Sequence, residues 1–263
     1  MPLRGAVYVN GRIASAEHAT IPIYDHGFLY GEGVYETLRT YNRVPFLYDR
    51  HLRRLRASAG YLQLAVPFTD DELASWIHDT MAAAGPLEEV PARVLAEGIK
   101  VALVPILRNH PASVNPVIKA NNLLNNALAM QEANRRGADE GLMCNYRGEL
   151  SECSQANFFI VRDGAALTPK NEAGLLVGLT RNFVFEVADD AGVDVRYETL
   201  FPADLESADE AFITSTTKEL SPVTRIDNRP VGNGKPGPVT KKLLEAYRRR
   251  AYALTQALVE GRR

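Results

Sequence analysis

Between Lys100 and Asn228 the chain is cut into short apolar runs by turn pairs at Arg147-Gly148, Asp163-Gly164 and Asp227-Asn228. Runs rich in β-branched and aromatic residues, bounded by residues that tolerate positive φ, read as strands joined in hairpins. This half must therefore fold around a sheet. A helix over Asn121 to Arg136 precedes most of the strands. Two more interrupt them, one after Gly178-Leu179-Thr180 and one at the C-terminus with Leu243, Leu244, Tyr247, Ala251, Leu254 and Leu258 on one face.

The first part has a different rhythm. Ala6 to Val9 and Arg12-Ile13 flank Asn10-Gly11, the signal of a tight hairpin. A glycine- and aromatic-rich loop from Ile21 feeds an expected strand over Val34 to Arg39. Asn42-Arg43 marks a second hairpin. Asp49 is expected to cap an amphipathic helix with Leu52, Leu55, Ala59 and Leu62 inward. Thr69-Asp70-Asp71-Glu72 is a capping box for the next, with Leu73, Trp76, Ile77, Thr80 and Met81 inward and Gly85 at its end. The proline-bounded stretch that follows reads as a linker. These signals divide the chain into an N-terminal α/β domain over 1–85, a linker over 86–99 and a C-terminal domain over 100–263.

A chain of 263 residues with 46% hydrophobic and 24% charged residues can bury a large core. Its 30 basic and 32 acidic residues nearly cancel, without long blocks, so nothing points to nucleic acid or an anionic membrane. No apolar run reaches membrane-spanning length. Cys144 and Cys153 are not in a Cys-x-x-Cys pattern and no signal segment leads the chain, so a cytoplasmic setting is expected. The histidines show no metal-ligand spacing, and no metal is expected.

Lys119 is the candidate chemical centre. Val117 and Ile118 precede it, and Leu123, Leu124, Ala127 and Leu128 follow at helical spacing, so its surroundings are expected to be buried. Desolvation frees the neutral amine, the form that attacks aldehydes. Glu152 stands just before the apolar strand Phe158-Phe159-Ile160-Val161, where an unpaired charge is costly, so something basic should face it. Gly178-Leu179-Thr180 opens a helix whose free N–H groups favour phosphate. Thr214-Ser215-Thr216-Thr217 ends a strand in hydroxyls that suit phosphate oxygens. Each feature has an ordinary structural reading by itself. Together they are the requirements of pyridoxal 5′-phosphate (PLP). By contrast, Gly31-Glu32-Gly33 is half a dinucleotide fingerprint, and Gly232-Asn233-Gly234-Lys235-Pro236-Gly237 reads as a loop, because Pro236 and Pro238 offer no N–H donors.

The chain also resembles a known family, the class IV PLP enzymes, which include branched-chain and D-amino-acid aminotransferases and aminodeoxychorismate lyase. The resemblance lies in Asp25 to Glu36, His51-Leu52-Arg53-Arg54-Leu55, the Lys119 stretch with Gln131-Glu132-Ala133, Glu152 with Asn157, Gly178-Leu179-Thr180-Arg181, and Ala208 through Pro222. It implies a two-domain α/β (α+β) fold, with an N-terminal α/β sandwich and a C-terminal β-rich pseudo-barrel, assembled as a homodimer. By the same resemblance Lys119 holds the cofactor and shuttles the proton at the substrate α-carbon, while Glu152 pairs with the pyridine nitrogen and Asn157 belongs to the cofactor site. Arg54, Leu179, Thr180, Ser215 and Thr216 would hold phosphate, and Tyr30, Tyr35, Arg39 and Thr217 would line the substrate pocket. The activity implied is transamination between an aliphatic amino acid and a 2-oxo acid. A D-amino-acid transaminase, a lyase that eliminates pyruvate from aminodeoxychorismate, and a non-catalytic cofactor-binding relative are the alternatives.

Two departures stand out. Asn122-Leu123 takes the place of the tyrosine that usually follows the asparagine in branched-chain enzymes, a feature closer to D-amino-acid enzymes. After Gly85 the family continues with two strands around a Thr-Arg-Gly segment that helps recognise the substrate carboxylate, roughly thirty residues in all. Here the chain passes straight to Pro86. Loss of strands would expose edges and remove buried apolar area, so an omitted stretch is expected rather than a truly shortened protein.

Overall fold

A computed structural model describes residues 5–85 and 89–261. The chain opens with a hairpin, β1 (Ala6–Val9) and β2 (Arg12–Ser15), turning through Asn10 and Gly11, both at positive φ. A short helix α1 (His26–Tyr30) leads to the two-residue ladder β3 (Thr40–Tyr41) and β4 (Val44–Pro45), which turns at Asn42-Arg43. Helices α2 (Tyr48–Tyr61) and α3 (Asp70–Ala84) follow. Thr69 and Glu72 form the anticipated capping box on α3. Helix α2 differs from expectation, beginning one residue before Asp49 behind Leu47, whose backbone is left-handed. Asp49 therefore sits in the first turn, where its charge complements the helix dipole.

Val34 to Arg39 does not form the expected strand. Among the described residues only Val34 pairs, in a single antiparallel bridge to Ala120 made by the Asn121 N–H to the Gly33 carbonyl (2.8 Å) and the Tyr35 N–H to the Lys119 carbonyl (3.1 Å). The next helix starts at Leu124 rather than Asn121. The anticipated linker is ordered where the structure describes it. Pro86, Leu87 and Glu88 lie outside the described residues, α4 covers Ala92–Glu97, and β5 (Ile99–Leu103) already belongs to the main sheet. β5 stops short of Leu107 because Pro105 has no N–H with which to continue a ladder.

After α5 (Leu124–Arg135) come β6 (Glu140–Cys144), β7 (Leu150–Cys153), β8 (Asn157–Arg162) and β9 (Ala165–Pro169). Then follow α6 (Leu179–Glu186), α7 (Ala188–Ala191), β10 (Val195–Glu198), β11 (Glu210–Ser215), β12 (Glu219–Ile226), β13 (Arg229–Pro230) and α8 (Pro238–Glu260). Nine strands make one mixed sheet in the order β10-β9-β8-β11-β12-β5-β6-β7, with β13 beside β12. The Leu150 N–H donates to the Leu200 carbonyl (2.7 Å), tying β7 to the chain just past β10. The two edges of the sheet thereby meet, and the sheet curls into a half-barrel.

Alternation along β8 explains why this sheet is buried on both faces. Phe158 and Ile160 point into the curl with Leu142, Leu150 and Ile213, while Phe159 and Val161 point outward to α6 and α8, among Phe212, Phe183 and Tyr247. The rings of Phe46, Phe183 and Tyr247 meet edge to face at 5.0–6.0 Å. The N-terminal part is thinner. Its strands amount to two hairpins, and Leu73, Trp76, Ile77, Thr80 and Met81, the expected inner face of α3, are all only half-buried. Trp76 stacks on Tyr8 (5.1 Å) and meets Phe68 edge-on (4.9 Å).

Truncating Phe183, fully buried in the aromatic cluster, is expected to destabilise the protein by about 3–5 kcal/mol. Urea unfolding of Phe183→Ala measures this, and a loss below about 1 kcal/mol would mean that α6 is not anchored by this cluster.

Candidate active site

Lys119 lies in the connection between β5 and α5, and its backbone is held from two sides. Its N–H donates to Ser58 Oγ on α2 (3.1 Å), and its carbonyl accepts from the Tyr35 N–H (3.1 Å). The Nζ sits 4.1 Å from the centre of the Tyr35 ring. Among the described residues it has no salt-bridge partner. Burial, helped by the nearby Arg54 cation, holds the amine's pKa below the usual lysine range, while Glu36 and Glu152 pull weakly the other way. Its flanking residues depart from expectation. Leu123, Leu124 and Leu128 are exposed, so the desolvation comes from Tyr35 and the cavity wall rather than from the run that surrounds Lys119 in sequence.

Glu152, at the end of β7, is buried across the same cavity. Its Oε2 accepts from Asn157 Nδ2 (3.2 Å) and the Leu176 N–H (3.1 Å), and its Oε1 from Arg108 Nε (2.8 Å). Burial pushes this carboxyl up; Arg108, the Leu176 N–H and Lys119 oppose the push without cancelling it. The basic group anticipated opposite Glu152 is thus Arg108, which sequence reasoning did not single out. The two lie 44 residues apart and no periodicity links them.

Helix α6 begins beside these groups. Gly178, its N-cap, provides no side-chain cap, so no side chain occupies the first-turn N–H groups of Leu179 and Thr180. A Cβ on Gly178 would stand 1.9 Å from Asn157 Oδ1, so only glycine lets the helix start this close to the residue that holds Glu152. The long helix α8 makes a useful contrast. Its N-terminal Val239 and Thr240 N–H groups donate to Glu210 (2.8 and 2.9 Å), so the glycine-rich loop ahead of it leads to an end already filled by a carboxylate.

A cavity of about 600 Å³, within the range of cofactor sites, joins these parts. Tyr35, Arg54, Lys119, Glu152 and Asn157 line it, as do Leu179, Thr180, Ser215, Thr216 and Thr217. Arg54 reaches it from α2, held by both oxygens of Glu36 (2.7 and 2.7 Å) and by the Val177 carbonyl (3.0 Å). Burial would raise Glu36, but hydrogen bonds from Arg54 and His51 overcome it and keep the carboxyl below its ordinary range. Thr214, also in the wall, has a buried hydroxyl without a hydrogen-bond partner among the described residues. An amine of lowered basicity, a buried carboxylate, a bare helix N-terminus, an arginine and an orphan hydroxyl fit a phosphorylated aromatic aldehyde such as PLP.

Two of the anticipated pocket residues lie elsewhere. Tyr30 projects from α1 and is 68% exposed, outside the cavity wall. Arg39 is buried behind the wall, where it pairs with Glu89 and donates to the Thr217 carbonyl (3.3 Å). Glu36 and His51, which set the pose of Arg54, fell inside recognised motifs without being read as site residues. Among the described residues no group of three or more histidine, cysteine or acidic side chains is placed to hold a metal.

The chain is similar to known proteins. The model of the class IV amino-transferase family matches residues 33–98 and 86–226. A putative branched-chain-amino-acid aminotransferase of Methanocaldococcus jannaschii is 33% identical over 273 positions, covering 92% of this chain and 95% of that protein. A D-alanine aminotransferase of Listeria monocytogenes is 35% identical over 274 positions, covering 92% and 94%. The branched-chain amino acid aminotransferase of Thermobaculum terrenum, solved in its PLP-form, superposes with a TM-score of 0.83 at 25% identity, over 96% of this chain and 95% of that one. Both alignments with these relatives run over more positions than this chain has residues, and the two stretches matched by the family model meet between 86 and 98.

The lowered basicity of Lys119 makes its acylation distinctive. With limiting acetic anhydride on the cofactor-free protein, Lys119 should reach half-modification at a lower pH than ordinary exposed lysines, because its neutral form is populated sooner. A profile by peptide mass spectrometry that tracks the exposed lysines would contradict the assignment.

Proposed function

Given that the chain belongs to the class IV aminotransferase family, we propose that it is a PLP-dependent transaminase moving an amino group between an aliphatic, branched-chain-type amino acid and a 2-oxo acid. The observation that carries this reading is the Lys119 amine, of lowered basicity, facing Glu152 across a cavity with a bare helix N-terminus at its side. When bound, PLP supplies an aldehyde that condenses with amines and an electron-poor ring that stabilises charge left at the substrate α-carbon.

The protein's own groups do the rest. Lys119 would hold the cofactor through its aldehyde carbon, releasing water, and with its amine free would carry the proton to and from the substrate α-carbon. The Glu152 carboxylate would accept the ring N–H and keep that nitrogen protonated, with Asn157 holding the carboxylate in place. The Leu179 and Thr180 N–H groups, the Ser215 and Thr216 hydroxyls and Arg54 bind phosphate. Tyr35 packs against the amine, and Thr217 borders the substrate side.

A second reading, in which the amino donor is a D-amino acid, is favoured by Asn122-Leu123 in place of the expected tyrosine and by the Listeria relative. For assembly we propose a homodimer. Ile21, Tyr24 and Phe28 before and on α1, with Leu123 and Leu124 at the start of α5, are exposed apolar side chains that a second copy would cover. Two free cysteines accord with a cytoplasmic setting.

Adding PLP to the purified protein should produce a yellow species that L-leucine bleaches and 2-oxoglutarate restores. Bleaching by D-alanine instead would select the second reading. A protein that stays colourless would refute both. Lys119→Ala should abolish borohydride-stable attachment, and Arg54→Ala should weaken PLP retention about tenfold or more. Unchanged attachment and retention would refute these roles.

A further inference from the structure

Before any ligand enters the cavity, the chain already places a cation on Glu152. Arg108 and Glu152 are both at most 9% exposed, with Arg108 Nε donating to Oε1 at 2.8 Å. The guanidinium is itself clamped. Its Nη1 donates to Asn125 Oδ1 (2.9 Å), and Asn125 on α5 bonds back to the Leu107 carbonyl (2.8 Å) and accepts the Asn109 N–H (3.3 Å). Of the two carboxylate oxygens, Oε2 already has two donors, Asn157 and Leu176, whereas among the described residues Oε1 has only Arg108. One acceptor position therefore stays open on the oxygen that Arg108 holds, and both residues line the cavity.

We propose that Arg108 is a positioning residue that keeps Glu152 ionised and aims the open side of Oε1 at the donor entering the cavity. This rests on the reading above in taking that donor to be the cofactor's ring nitrogen. An isolated carboxyl at this depth would take up a proton, and a neutral acid would no longer hold a protonated ring nitrogen beside it. The other charged or titratable groups acting on the carboxylate or near it are Lys119, Tyr35, Arg181 and Cys153. None of them donates a hydrogen bond to Glu152 in the structure. Arg108 alone couples charge to direction.

The test needs no cofactor at first. Urea unfolding of the cofactor-free protein from pH 5 to 8 compares wild type with Arg108→Met, Arg108→Lys and the double variant Arg108→Met/Glu152→Gln. With the guanidinium gone, the folded-state pKa of Glu152 rises further above its unfolded value. The native state then holds a proton that the unfolded chain releases. Stability of Arg108→Met must therefore fall with rising pH, by up to about tenfold in the folding equilibrium per pH unit, the slope of one proton. These slopes are read against wild type; Arg108→Lys should keep the wild-type slope, and the double variant should lose the slope that Arg108→Met adds. If Arg108→Met does not fold, folding of the double variant carries the same conclusion. A wild-type slope in Arg108→Met, or an equal loss in the single and double variants, would reduce Arg108 to a packing role and overturn the proposal.

In the loaded protein, ¹⁵N NMR of isotope-labelled PLP should show the ring nitrogen moving toward its unprotonated position in Arg108→Met and staying in place in Arg108→Lys. An unmoved nitrogen in Arg108→Met would also overturn the proposal. Failure to bind PLP at all would instead refute the functional reading, while the cofactor-free comparison would still decide what Arg108 does to Glu152.

Discussion

A carboxylate buried at the end of a strand is the constraint around which this molecule is arranged. Glu152 can stay in the wall of the half-barrel only because donors arrive from three directions. Asn157 comes from the neighbouring strand, the Leu176 N–H from the segment ahead of α6, and Arg108 from the connection after β5. Each donor fixes the position of something else. Asn157 forces glycine at the N-cap of α6, the Leu176 segment sets where that helix begins, and the Arg108 connection runs on to Lys119. The acid, the amine and the helix end are placed by one network, so the cavity they share is defined by hydrogen bonds and packing together.

Two helix N-termini show how the fold allots its anion sites. That of α8 is closed by Glu210, a capping carboxylate that satisfies its N–H groups and leaves no place for phosphate. That of α6 has no side-chain cap and opens on the cavity. Its rigidity comes from behind, through the Phe46, Phe183 and Tyr247 rings. A bare helix end costs stability unless something occupies it, so an uncapped end on a well-packed helix is a seat rather than a flaw.

The N-terminal part obeys a different balance. Its hairpins and α3 carry the right local signals, with turns and a capping box where the sequence places them, yet the apolar face of α3 is only half-buried. The two stretches matched by the family model overlap at 86–98, just past the end of this helix. This part still supplies Tyr35, Thr37 and Arg54 to the cavity wall, while Lys119, Glu152, Asn157 and the start of α6 come from the rest of the chain.

What the sequence by itself determined is what short-range chemistry controls. The hairpin turns at Asn10-Gly11, Asn42-Arg43 and Asp163-Gly164, the capping box at Thr69 and the β-rich second half follow from φ preferences and periodicity among near neighbours. The family motifs added Lys119, Glu152, Arg54 and the hydroxyl run after β11, which the fold gathers around one cavity. Tertiary structure alone decided which cation meets Glu152, that Val34 to Arg39 forms a single bridge to the Lys119 loop rather than a sheet strand, and that Arg39 and Tyr30 stand off the cavity wall. The physical reason is range. Turn and helix preferences act over a few residues, whereas a buried charge selects its partner by position in space, and here that partner lies 44 residues away across a sheet.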